Sequence, residues 1–170
     1  NALQKINIEA SSALALNKAV DLEADLKAKT LAAQAEAIDT YFEVREMPLK
    51  GTGAKMAEVA DLNGLDWRLL PAIAVRESTG GKADCIRVPN NPFGWGSCKI
   101  GFKTIDAAIE TVGRNLGGNN PNTAKHYDNK TTREILNAYN PPSIVLHYTP
   151  QVIAIMNVIG TENVVIDVSK

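Results

Sequence analysis

The chain has 170 residues, the length of one ordinary domain with room for an appendage. Its hydrophobic share of 45% and charged share of 22% are those of a globular chain able to build a core. A formal charge of −1 argues against a nucleic-acid binder that works by phosphate neutralisation, and no apolar run reaches the roughly 18 residues of a membrane span.

From about Ile6 to Phe42 there is no proline or glycine, and alanine is dense. Ile6, Ala10, Ala13, Asn17, Val20, Ala24, Leu31, Ala35, Ile38 and Phe42 recur at spacings of three, four or seven, which predicts one long, narrow-faced amphipathic helix. It exceeds what a compact domain of this size buries. Residues 1–47 are therefore expected to form a stalk or coiled-coil arm, at least in their first half. Pro48, Gly51 and Gly53 break the pattern, and a mainly α domain is expected over 48–160. GTGAK at Gly51–Lys55 lacks the spacing of a phosphate loop. Lys55 to Asn63 reads as a short helix closed by Gly64. Asp66 is positioned to cap the next one, whose Leu69, Leu70, Ile73 and Val75 run into Glu77 before Gly80 and Gly81 stop it.

The stretch from Ala83 to Ile100 is loop-like. Thr104 to Leu116 reads as a capped helix, Thr131 or Thr132 opens another through Tyr139, and Pro141-Pro142 ends it. Thr149-Pro150 opens a last helix to about Ile159, with Pro150 in its first position. The tail from residue 161 contains NVVIDV, whose weak alternation fits a short strand or a frayed end.

Cys85 and Cys98 bracket the long loop. Two thiols are too few for the usual four-ligand metal site, so neither metal nor cofactor is expected. The pair closes a disulfide in an oxidising compartment or stays reduced in a cytosol. The chain opens with neither Met nor a basic stretch leading into an apolar one, so an exported protein would have its signal or anchor outside this sequence.

The chemistry concentrates at AIAVRESTGGK. A Glu closing an apolar helix is poorly hydrated, and poor hydration favours the protonated carboxyl that a general acid needs. The plainer reading is a solvated glutamate in a last turn. Ser78 stands beside it, able to orient the group. In NNPFGWGSC, Phe93 and Trp95 between glycines suit a sugar ring or, more plainly, plug their own loop. Asp84, Asp106, Glu110, Asp128 and Glu134 read as surface charges or caps, and His126 and His147 show no ligand spacing.

In combination these segments resemble the lysozyme-like superfamily. AIAVRESTGGK is similar to the catalytic helix end of goose-type lysozymes and soluble lytic transglycosylases, with their Glu-Ser pair. NNPFGWG followed by GFKTIDAAIETVGRNL resembles the bacterial glucosaminidase branch. LNAYNPPS looks like the transglycosylase A-Y-N-A-G segment, and Tyr148 matches a tyrosine opening the last helix. The resemblance covers roughly Pro48 to Ile159 and leaves out the N-terminal helix. It implies a lysozyme-like helical domain, outside the cytoplasm, that cleaves the glycan of peptidoglycan. Glu77 would be general acid and later base, and Tyr139 would position substrate or stabilise charge. Ser78, Phe93, Trp95, Asn140 and Tyr148 would line subsites. FGWG in place of G-L-M-Q, and Pro141-Pro142 in place of A-G, depart from the transglycosylase pattern and leave the product open.

Glycosidases ordinarily use two carboxylates at a set separation. Only Glu77 has a persuasive setting, which suits a route where the sugar's own hydroxyl or acetamido group replaces the second. A hydrolase would recruit Asp84, Asp106 or Asp128. The expectation is muramidase or lytic-transglycosylase chemistry, with endo-β-N-acetylglucosaminidase as the alternative. Two further readings are a non-catalytic wall-binding module and an assembly protein that self-associates or is tethered through its helix.

Overall fold

The structure, a computed structural model, describes residues 2–161, with side chains from Leu14 onward. It is mainly α with a long N-terminal helix, and no strand occurs among the described residues. The helices are α1 (Ala2–Val44), α2 (Gly53–Leu62), α3 (Leu69–Ser78), α4 (Ile105–Leu116), α5 (Ala124–Tyr127), α6 (Thr132–Tyr139) and α7 (Tyr148–Thr161). The NVVIDV segment lies outside the described residues. No described helix is long and apolar enough to cross a membrane.

α1 changes character along its length. From Leu14 to Thr30 every side chain is exposed, Leu16, Val20, Leu22 and Leu26 included. From Leu31 the apolar stripe becomes core: Ala37, Ile38, Tyr41 and Phe42 are buried, with Leu31 and Ala35 packed against them. A division at residue 47 thus cuts through the core, because the last turns of α1 belong to the domain. Lys27 reaches Asp61 of α2 at 2.8 Å, near where helix and domain part.

The crossing of α1 and α2 is close and specified. Asp39 accepts hydrogen bonds through Oδ1 from the amides of Gly51, at 2.8 Å, and Gly53, at 3.0 Å. A Cβ at Gly53 would lie 2.3 Å from the Ala35 carbonyl oxygen, so only glycine lets the helices meet. The GTGAK segment is a helix junction.

α3 is the central helix, packed on α7 and touching α2 and α4. Leu69, Leu70, Ala72, Ile73 and Ala74 are all buried, so it lacks a solvent face until its last turn. Asp66 lies before the helix, where its Oδ1 accepts from the Arg68 amide at 3.0 Å and its two oxygens hold the Arg68 guanidinium at 2.9 and 2.7 Å.

The end of α3 is tightly tied. The Thr79 amide donates to the Val75 carbonyl and the Gly80 amide to that of Ala74, at 2.9 and 3.2 Å. Thr79 itself takes the left-handed conformation, φ 53°, ahead of Gly80 and Gly81. A β-branched residue there is strained. Thr79 is exposed, so Thr79→Gly should stabilise the fold by about 1 kcal/mol and raise Tm by about 3 °C. An unchanged or lower Tm would show that the glycine's extra chain entropy offsets the relief.

Local cap chemistry explains the later helices. Thr104 accepts from the Ala107 amide at 3.1 Å to start α4. Thr131 and Glu134 form a reciprocal capping box on α6. The four-residue α5 is not anticipated by any periodicity. α7 begins at Tyr148, two residues before Pro150, so this proline is third in the helix, still within the turn whose amides need no intrahelical acceptor.

Candidate active site

Glu77 is the next-to-last residue of α3, half-buried where the helix meets the loop before α4. Its Oε1 is shielded from solvent and has no hydrogen-bond partner. Its Oε2 faces Gly94: a Cβ there would stand 3.0 Å away, and Gly94 has φ +62°. A side chain at 94 would be both strained and pressed onto the carboxylate. Glycine lets the loop backbone close over Glu77.

The loop is built around Asn91, which is fully buried. Its Nδ2 donates to the carbonyls of Trp95 and Ile100 at 2.8 and 2.9 Å, and its Oδ1 accepts from the Trp95 amide at 2.9 Å. One side chain thereby does for this loop what a sheet ladder does for a hairpin. Cys85 and Cys98 are disulfide-bonded, with α-carbons 5.5 Å apart, and close the loop from outside. A bridge of this sequence separation is worth about 3 kcal/mol in chain-entropy terms. Reduction should therefore lower the denaturation midpoint markedly, and an unchanged midpoint with both thiols free would show that Asn91 alone holds the loop.

Aromatic rings form the wall. Trp95 lies 6.5 Å from Tyr127 and 5.8 Å from Tyr139, and Tyr139 stacks on Tyr148 at 6.1 Å and 16°. The Tyr139 hydroxyl donates to the Phe93 carbonyl, latching α6 to the loop. Burial, then the neighbouring Glu77 charge, holds the Tyr139 hydroxyl well above the ordinary tyrosine range. Tyr148 is pushed up by the same two causes. Both phenols stay protonated near neutrality and serve as donors rather than bases. The Tyr148 hydroxyl and Glu77 Oε1 are both buried outside good hydrogen-bond geometry, and the hydroxyl lies beside the Glu77 carboxylate. Two such polar atoms together are uncommon in a settled interior. Arg76 adds its guanidinium 5.5 Å from the Tyr148 ring, fixed by a 2.8 Å bond from Nε to Gln151.

The resulting cleft, about 590 Å³, is bordered by Glu77, Trp95, Tyr127, Tyr139, Asn140 and Ile144, among others. Of the residues expected at a site, Glu77, Trp95, Tyr139 and Asn140 converge on it. Three do not. Ser78 is 2% exposed and turned inward: its hydroxyl donates to the Ala74 carbonyl at 3.0 Å and accepts from the Gly81 amide at 2.9 Å. It ties off the end of α3 and does not border the cleft. Phe93 is fully buried and plugs the loop, so only its carbonyl matters to the site. Tyr148 is 1% exposed, a layer behind Tyr139. Tyr139 itself has its hydroxyl committed to the Phe93 carbonyl, which makes it both a wall of the cleft and a latch.

Tyr127 is the residue that sequence reading passes over, since it sits in AKHYD, a segment without period. Asn91 and Gly94 stand in the NNPFGWG motif, but sequence assigns neither of them a role.

No second carboxylate borders the cleft among the described residues. Asp84 accepts from the Cys85 amide at 2.7 Å, Asp106 lies in the first turn of α4, and Asp128 borders a different concavity with Asn129 and Lys130. His126 packs edge-on against Tyr127, 6.2 Å between centroids, and His147 precedes α7 at φ 68°. No cluster of three His, Cys, Asp or Glu suited to a metal occurs among the described residues. No protein-family model, curated protein or solved structure matches the chain.

Proposed function

We propose that the chain cleaves peptidoglycan glycan strands by muramidase or lytic-transglycosylase chemistry, with Glu77 as general acid and then base. The observation that carries this reading is a lone carboxylate with one oxygen buried and unpartnered, set in an aromatic-walled cleft. Aromatic faces suit the apolar faces of sugar rings, and Asn140 supplies a polar edge. In the protonated form Glu77 gives its proton to the glycosidic oxygen as the bond to the anomeric carbon breaks. The carboxylate so formed then takes the proton of the hydroxyl that attacks that carbon. With one carboxylate, the attacking hydroxyl or a neighbouring acetamido oxygen of the sugar replaces the second acid.

The Asn91-organised NNPFGWG loop favours a second reading, endo-β-N-acetylglucosaminidase, through its likeness to that branch. The disulfide fits an oxidising compartment, which is also where the substrate lies. The exposed part of α1 belongs to the same proposal, as an arm for tethering or self-association.

Mass spectrometry of products from purified peptidoglycan tests the reading. Anhydro-muramic ends are the expected result, as the single carboxylate favours the internal route. Reducing muramic ends indicate a hydrolytic muramidase, and reducing glucosamine ends the second reading. Binding without any product would leave a wall-binding module.

A further inference from the structure

Beside the Glu77 cleft lies a second concavity of about 540 Å³, bordered by Ile86, Arg87, Val88, Ser97, Cys98 and Lys99. Ser97 and Cys98 border both. The two concavities thus adjoin at the disulfide-bonded end of the loop. The second carries two cations and no acid, although the chain as a whole is slightly acidic. Arg87 and Lys99 are exposed and make no ion pair among the described residues. The nearest acid in sequence, Asp84, is occupied by the Cys85 amide. Ile86, fully exposed, adds an apolar contact between them.

We propose that this second concavity binds a carboxylate carried by the same glycan strand that is cleaved at Glu77, with Arg87 and Lys99 as the residues that select a charged strand over a neutral one. The inference rests on the function proposed above. Three features combine. The concavity shares Ser97 and Cys98 with the cleft, Cys98 is tied to Cys85, and neither cation makes an ion pair among the described residues. Arg87 suits a carboxylate through its planar fork, and Lys99 as a point charge. The carboxylate has two sources, exclusive of each other on any one sugar: the lactyl carboxyl of a muramic sugar without a stem, and, where a peptide stem has taken up that carboxyl as an amide, the carboxyls of the peptide. Both lie to one side of the sugar chain, as suits a concavity beside the cleft.

The test measures binding of three probes to the full chain with Glu77→Gln in place, so that nothing is cut. The probes are a chitooligosaccharide without carboxylates, a glycan strand stripped of peptide, and a strand with its stems. Arg87→Gln with Lys99→Gln should weaken the carboxylate-bearing probes by roughly tenfold, the size expected for two exposed charge contacts. The chitooligosaccharide should bind unchanged. The preference should also fade with added salt in the parent and be insensitive to salt in the variant. Loss only on the stripped strand assigns the lactyl carboxylate, loss only on the stem-bearing strand assigns the peptide, and loss on both shows that the cations accept either. Equal loss on all three probes, or none, overturns the proposal. If the parent binds none of the three, the function itself fails. If the parent binds them and the variant keeps its preference, only the basic concavity fails.

Discussion

Glu77→Gln is expected to abolish glycan cleavage while leaving the helical circular dichroism and Tm nearly unchanged. The amide has the shape of the carboxyl, so Gly94 can still close over it. No hydrogen bond is lost at Oε1, since none is present there. What disappears is the transferable proton, whose positioned delivery contributes about 10²–10⁴-fold in rate. Activity retained above roughly a tenth of the parent level would remove Glu77 from the acid role. The cleft would then have to be read as a binding site alone.

Asn91→Ala should be the most damaging change that leaves every cleft side chain in place. It strips partners from the Trp95 amide and from the carbonyls of Trp95 and Ile100. Each buried group left unsatisfied costs about 1–3 kcal/mol, and loop relaxation recovers part of that, so a net loss of about 3 kcal/mol is expected. The catalytic consequence is separate. Gly94 and Trp95 would no longer be held against Glu77, and misplacement of about 1 Å can cost on the order of 10²-fold. Denaturant titration gives the first figure, and activity measured well below the variant's Tm gives the second. A stability loss below about 1 kcal/mol with full activity would show that the disulfide alone shapes the loop.

What the sequence made legible was largely what is decided locally. Thr104 and the Thr131–Glu134 box announce α4 and α6 because capping is settled within four residues. The buried stripe of α1 is legible because its period runs on through Leu31, Ala35, Ile38 and Phe42. α5 is invisible because four residues cannot display a period. The convergence of Glu77, Trp95, Tyr139 and Asn140 was anticipated through likeness of segments, since no local rule brings α3, the loop and α6 together.

That same likeness put Ser78, Phe93 and Tyr148 on the cleft wall, which none of them borders, although the Tyr148 hydroxyl lies beside Glu77. Order along a chain says which residues are near a site and not which way each one points. Ser78 turns inward because Ala74 and Gly81 each offer it a hydrogen bond. Tyr148 lies behind Tyr139 because α7 packs against α3 and α6 rather than facing the cleft. Asn91 belonged to the matched NNPFGWG motif, but its role as the centre of the loop went unread because burial is a tertiary fact.

α1 carries a mechanical implication. The part before Lys27 adds roughly 37 Å of helix at about 1.5 Å per residue, and its side chains from Leu14 to Leu26 are all exposed. A flexible linker of equal length would let the cleft wander over a broad range of distances, with a typical span of about 28 Å. A helix instead works as a spoke. Whatever engages its far end sets the cleft at a fixed radius and a fixed bearing, so cutting would follow an arc rather than fill a volume. The spacing of cuts along a wall would then be set by geometry at the hub.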